Sequence, residues 1–134
     1  MQSRRPTKRD SLLKIVDLGV PIETVIDVGI LTGTYDLRTI FADRKQLLIE
    51  PIEEWNAAIE KNYAKSNVDF EILNVAAADQ DGFMQMELSS VKPGSPITHA
   101  RLTSKPKSDA LRTVPVCKLD MYKQPFDIEK WAAF

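Results

Sequence analysis

Between residues 24 and 75, short apolar runs alternate with segments of helical pattern, and this alternation restricts the possible folds more than any other feature of the chain. The strands are predicted at 24–29, 46–50 and 69–75, and the helices at 33–42 and 52–63. The second of these helices is expected to bury one apolar stripe, formed by Ile52, Trp55, Ile59 and Tyr63. The first two strands are continuously apolar, as strands buried on both faces are. A β-α-β-α-β series specifies a parallel sheet with right-handed crossovers. We therefore predict an α/β fold whose parallel sheet is flanked by helices.

The segments on either side of this series follow other patterns. We predict an N-terminal helix at 8–18, an alternating strand at 84–88, a long irregular loop at 89–112, a last strand at 113–118 and a short helix at 127–134. The predicted organisation is one incomplete domain, 1–134. Its parts are an N-terminal helical segment (1–19), a core (24–78) and a hairpin-like extension with a long loop (79–118).

The turn that follows the first strand has the residues of a ligand-binding turn. Gly29 permits a tight bend and lets the backbone approach a ligand without an intervening Cβ. Gly33 gives the backbone the same freedom where the next helix starts. The first N–H groups of a helix are free and can face polar atoms of a ligand. Asp27 lies near the carboxyl end of the strand, where open α/β sheets bind their ligands. The sequence predicts a nucleoside site at this turn.

A second acidic residue supports this interpretation. Glu50 ends the second predicted strand, and nucleotide-binding domains of this type place an acid about 20 residues beyond the glycines to accept hydrogen bonds from ribose hydroxyls. A nicotinamide-dinucleotide domain remains an alternative because it uses the same acid. However, the segment Gly-Ile-Leu-Thr-Gly at 29–33 lacks the tighter Gly-x-Gly-x-x-Gly spacing of that class.

These motifs, in order, resemble the FkbM-type methyltransferases. The resemblance spans roughly 12–120 and rests on 24–29 with 33–35, 49–51, 73–76 with 79–82, and 114–116 with 119–120. It implies a Rossmann-like class I methyltransferase fold with an added β-strand pair, and S-adenosylmethionine as cofactor. It also implies methylation of a small-molecule or sugar hydroxyl.

The resemblance also implies cofactor-binding residues. Asp27, Gly29 and Gly33 would line the methionine and ribose side of the cofactor. Glu50, followed by Pro51, would hold the ribose hydroxyls. The residues implied near adenine are Ala76, Ala77 or Asp79. Tyr35 matches an aromatic position of the family, for which packing and ligand contact are both open, and no catalytic residue is identified.

The sequence departs from the family pattern at two places. Leu31 stands where the family usually has a small polar residue, and a bulky side chain there can crowd the cofactor or remove a hydrogen bond. In addition, the C-terminal strands that complete the family's sheet are missing from 1–134. We therefore expect the strand at 24–28 to present an exposed apolar edge. A truncated chain of marginal stability is the first interpretation of this edge, homodimerisation across it the second, and a compact monomer that fills it with its own later strands the third. A truncated, non-catalytic module that folds and self-associates is the second alternative.

Composition excludes several other classes. The formal net charge of −1 gives no basis for binding nucleic acid or an anionic membrane. No apolar run is long enough for a membrane span or a signal peptide, which predicts a cytoplasmic protein. Cys117, the single cysteine, has no Cys or His neighbour at metal-ligand spacing, so we predict a buried apolar role and no metal site.

Overall fold

The structure is a computed structural model that describes residues 4–89, 99–107 and 109–119. The predicted terminal helix at 127–134 lies outside the described residues, as does Asp120. The chain divides into two compact units. The first consists of residues up to 48 together with 54–72, and the second consists of 49–53 together with the residues from 73 onwards.

The first unit contains the predicted helix and strand series, except for Ile49, Glu53 and Leu73 at the ends of three elements, which belong to the second unit. Its elements are α1 (Lys8–Asp17), β1 (Thr24–Val28), α2 (Tyr35–Ile40), β2 (Lys45–Ile49), α3 (Asn56–Lys65) and β3 (Phe70–Leu73), with a 3₁₀ turn at Glu53–Trp55 before α3. The strands form one parallel sheet in the order β1-β2-β3. The prediction of an α/β fold with a parallel sheet is therefore confirmed.

Local sequence explains where α1 begins and ends. The Thr7 side chain accepts a hydrogen bond from the Asp10 N–H, and the Asp10 carboxylate accepts one from the Thr7 N–H at 2.8 Å. This reciprocal capping box satisfies two N–H groups at the helix start. Gly19 follows the last turn with a φ of 70°, a left-handed conformation that ends helices.

The core of the first unit packs α3 against β2. It comprises Ile30, Leu48, Ile59, Tyr63 and Val68. The predicted stripe of the second helix is thus confirmed at Ile59 and Tyr63, which are fully buried. Burying a side chain of this size contributes about 1.5–3 kcal/mol, so this stripe is the main anchor of α3.

The prediction that β1 is buried on both faces is wrong. Val25 and Asp27 are buried on one face, whereas Ile26 and Val28 on the other are 45% and 46% exposed. A continuously apolar strand is typical of a sheet covered on both sides. Within the described part of the chain, the face that carries Ile26 and Val28 is open to solvent.

The second unit contains a four-stranded mixed sheet. Its strands are β4 (Ala76–Ala77), β5 (Gly82–Ser89), β6 (His99–Leu102) and β7 (Leu111–Cys117). Their order is β4-β7-β5-β6. β4 and β7 run parallel, whereas β5 pairs antiparallel with β6 and with β7.

Two sequence predictions about strands require correction. Residues 99–102 lie in the predicted irregular loop, yet they form β6 because they pair with Met86–Ser89 of β5. The predicted strand at 69–75 stops at Leu73. There the Asn74 side chain turns to donate a hydrogen bond to the Glu50 carbonyl at 2.8 Å.

Candidate functional site

The turn between β1 and α2 has an open backbone at Gly29. Its φ of 70° suits glycine, and a Cβ placed there would meet no atom within 4 Å. The N–H of Gly33 closes the turn on the Ile30 carbonyl at 2.8 Å. The Asn62 side chain of α3 donates to the Thr32 carbonyl at 2.9 Å and holds the turn from outside. The turn therefore has free space beside Gly29 and is bound to α3 through Asn62.

Asp27 is a buried carboxylate at the end of β1. Burial raises its pKa, while a hydrogen-bonding contact with the Thr34 side chain and the charge of Lys8 oppose the shift. Its Oδ2 atom is buried and has no hydrogen-bond partner among the described residues. An acid kept in such surroundings destabilises the fold, and shifted acids of this kind cluster at functional sites.

Tyr63 of α3 is part of this turn region, and sequence analysis assigned it only to the helix stripe. A Cβ placed on Gly33 would lie 2.6 Å from Cε2 of Tyr63, so the turn packs directly against the ring. Burial raises the pKa of Tyr63 to about 12, and the negative charge of Asp27 adds to the shift. The buried hydroxyl makes no hydrogen bond of standard geometry with the described residues. In the sequence, the only signal for Tyr63 was its place as the last residue of the apolar stripe in the helix predicted at 52–63.

Tyr35, the first residue of α2, is 64% exposed. The Arg38 guanidinium lies 5.5 Å from its ring centroid and 5.7 Å from that of Tyr63. Arg38 also donates a hydrogen bond to the Asn62 carbonyl. Arg38 therefore links α2 to α3, and Tyr35 covers one side of it.

Glu50 belongs to the second unit and follows β2 directly. It is 3% exposed, and its Oε1 accepts a hydrogen bond from the Ile52 N–H at 3.1 Å. Its own N–H donates to the Leu73 carbonyl at 3.0 Å. The side chain is therefore held in a fixed orientation by the turn that begins with the half-buried Pro51.

A cleft of about 500 Å³ opens where β4 and β7 end. It is lined by Ala77, Ala78, Asp79, Lys118 and Leu119. Two of the residues assigned near adenine, Ala77 and Asp79, thus share one cleft. The third, Ala76, is buried and pairs with Val116 in the sheet. Sequence analysis did not identify Lys118, because it is far from residue 79 in the sequence. The parallel pairing of β4 with β7 brings the two residues to one cleft.

Three further properties of the described residues concern a thiol, metal binding and membrane-spanning helices. Cys117 is buried, and burial raises the pKa of its thiol to about 11, so little of it is thiolate at neutral pH. No group of three or more His, Cys, Asp or Glu residues is arranged to hold a metal ion. None of the described helices has the length and apolar character that crossing a membrane requires.

Comparison with family models, with curated proteins and with solved structures finds no match to this chain.

Proposed function

We propose that this chain is the cofactor-binding part of an S-adenosylmethionine-dependent methyltransferase that acts on a small-molecule or sugar hydroxyl. The observation that carries the proposal is the turn after β1, where the open backbone at Gly29 lies beside the buried carboxylate of Asp27. Among the described residues, no salt bridge that involves Asp27 offsets its burial. A ligand is the simplest reason to keep such a group at the carboxyl end of a strand.

The charge of the turn fits this cofactor. S-adenosylmethionine carries a sulfonium and an ammonium group, and a nearby carboxylate favours both by Coulomb attraction. The same carboxylate disfavours the pyrophosphate of a nicotinamide dinucleotide. Asp27 therefore supports the adenosyl cofactor over the dinucleotide alternative.

The proposal assigns ribose binding to Glu50. The carboxylate is buried and oriented by the Ile52 N–H. A carboxylate held in this way can accept hydrogen bonds from vicinal hydroxyls without losing rotamer freedom on binding.

The proposal assigns the adenine side to the cleft at Ala77 and Asp79. Two small alanines leave room for a flat ring, and the carboxylate of Asp79 can accept a hydrogen bond from an exocyclic amine.

The bound cofactor would supply an activated methyl group. The protein's contribution to such a reaction is mainly to position the acceptor in line with that group. No described residue is assigned as general base, and the acceptor class rests on the family resemblance alone.

A second candidate function is self-association through β1. It is favoured by the place of β1 at the end of the strand order and by the exposed Ile26 and Val28. An unpaired strand edge offers N–H and C=O groups to a second copy of the chain.

Calorimetric titration with S-adenosylhomocysteine and, separately, with NAD tests the first proposal. We expect saturable binding of S-adenosylhomocysteine and much weaker binding of NAD. If NAD binds more tightly, the dinucleotide alternative replaces the proposal. If neither ligand binds to the folded chain, the result favours the second candidate function, self-association through β1.

A further inference from the structure

Leu31 has an unfavourable backbone conformation in the turn after β1. Its φ is 52°, in the left-handed region where an L-residue with a bulky side chain is strained. Glycine and asparagine adopt this conformation far more easily. The backbone geometry of the turn therefore gives no reason to place leucine at this position.

Burial does not explain the leucine either. Leu31 is 37% exposed, although it is a large apolar residue in a turn otherwise formed by Gly29, Ile30, Thr32 and Gly33. Ile30, its neighbour, is the residue of this segment that is buried in the core. Residues held in such sparsely populated backbone conformations cluster at active sites and ligand clamps.

The position of Leu31 suggests which ligands it affects. In dinucleotide-binding turns of the Gly-x-Gly-x-x-Gly type, the second glycine lets the backbone N–H groups approach the pyrophosphate. Here the corresponding segment reads Gly29-Ile30-Leu31. A leucine side chain therefore stands where the second glycine of the motif carries only a hydrogen atom. An apolar side chain there prevents close approach and removes water from a charged group without replacing its hydrogen bonds.

We propose that Leu31 determines ligand specificity at this turn by excluding pyrophosphate-bearing nucleotides, because their phosphates need the closest approach to the backbone N–H groups. The inference rests on the proposed function, because it takes the turn after β1 as the nucleoside site. It predicts that the strain at Leu31 is retained for selectivity.

Three substitutions separate the effects of bulk and strain. Leu31→Gly removes both, Leu31→Asn relieves the backbone while keeping a branched side chain, and Leu31→Ala removes bulk while keeping the strained Cβ. Leu18→Ala is the matched control, since Leu18 is an exposed leucine outside the turn with a φ of −74°. Each variant is titrated with NAD and with S-adenosylhomocysteine, and its melting temperature is measured without ligand.

We expect Leu31→Gly to bind NAD at least about tenfold more tightly than the unmodified chain, the effect of changing a steric exclusion in a binding pocket. Leu31→Ala should show part of this gain, and Leu18→Ala none. Leu31→Asn should melt about 4 °C higher because the left-handed strain is relieved.

The outcomes distinguish this inference from the proposed function. If Leu31→Gly and Leu31→Ala bind NAD no better than the unmodified chain, the inference is overturned, whatever happens with S-adenosylhomocysteine. If the unmodified chain fails to bind S-adenosylhomocysteine, the proposed function fails, and a gain of NAD binding in Leu31→Gly would still establish exclusion by Leu31.

Discussion

Gly33 lies so close to Tyr63 that a Cβ on the glycine would be 2.6 Å from Cε2 of the tyrosine. This contact couples the turn after β1 to α3. It also explains why a buried tyrosine belongs to the candidate site although it is 30 residues away in the sequence.

The first prediction concerns this contact. Gly33→Ala should lower the free energy of unfolding by about 1–3 kcal/mol through its positive φ and by roughly 1–3 kcal/mol more through the clash with Tyr63. Gly82→Ala is the matched control, because Gly82 has a similar φ of 121° but nothing within 4 Å of its Cβ position. Urea denaturation of both variants gives the comparison. Equal losses in the two variants would contradict close packing of the turn on Tyr63.

The second prediction concerns Glu50. Glu50→Gln keeps an oxygen that can accept the Ile52 N–H but loses the negative charge. We expect S-adenosylhomocysteine binding to weaken by about 1–3 kcal/mol, the size of a lost hydrogen bond to a charged group, with little change in stability. Glu53→Gln, at an exposed position in the next turn, should leave the affinity unchanged. A dissociation constant unaltered in Glu50→Gln would remove the ribose role.

The third prediction concerns the pH dependence that Asp27 causes. Its pKa in the folded chain is raised by burial above the ordinary value of 3.8, so the native state holds the proton more tightly than the unfolded state. The resulting stabilisation is complete below pH 3.8 and is lost as the pH rises through the raised value of the folded state. Asp27→Asn lacks this titration.

The free energy of unfolding is therefore measured by denaturation of both proteins at pH 4 and at pH 7. The difference between Asp27→Asn and the unmodified chain should shift in favour of the variant from pH 4 to pH 7. The same variant should bind S-adenosylhomocysteine more weakly at pH 7. A constant difference between the two proteins across this range would show that Asp27 titrates alike in the folded and unfolded states.

The fourth prediction concerns the strand edge. We expect sedimentation of the unmodified chain to show a concentration-dependent dimer, and Ile26→Lys to shift it to monomer because a lysine on an edge strand opposes pairing. Val20→Lys, at a similarly exposed position before β1, should keep the dimer. A chain that stays monomeric at every concentration would exclude self-association through β1.

The helices and strands between residues 24 and 75 could be predicted because their apolar periodicity is local. The exposure of Ile26 and Val28 could not, since the cover of a strand face depends on distant elements that a local pattern does not record. β6 was missed for a related reason: its four residues become a strand only by pairing with β5. Short strands of this kind have no periodicity of their own.

The candidate site also contains residues that the sequence could predict and residues that it could not. Asp27, Gly29 and Glu50 could be singled out because their roles follow from position at a strand end. The involvement of Tyr63 depends on how α3 packs against the turn, and the strain at Leu31 depends on a backbone angle. Neither has a signature in the residue order alone, although Leu31 was recognised as a departure from the family pattern.

We propose above that the turn after β1 binds an adenosyl ligand. Titration of the isotope-labelled chain with S-adenosylhomocysteine, followed through backbone amide resonances, tests it most directly. We predict saturable shifts at Gly29, Leu31 and Gly33, with α1 residues such as Lys14 unaffected. A titration that leaves the amides of the turn unchanged, or that shifts only residues elsewhere, would contradict the claim.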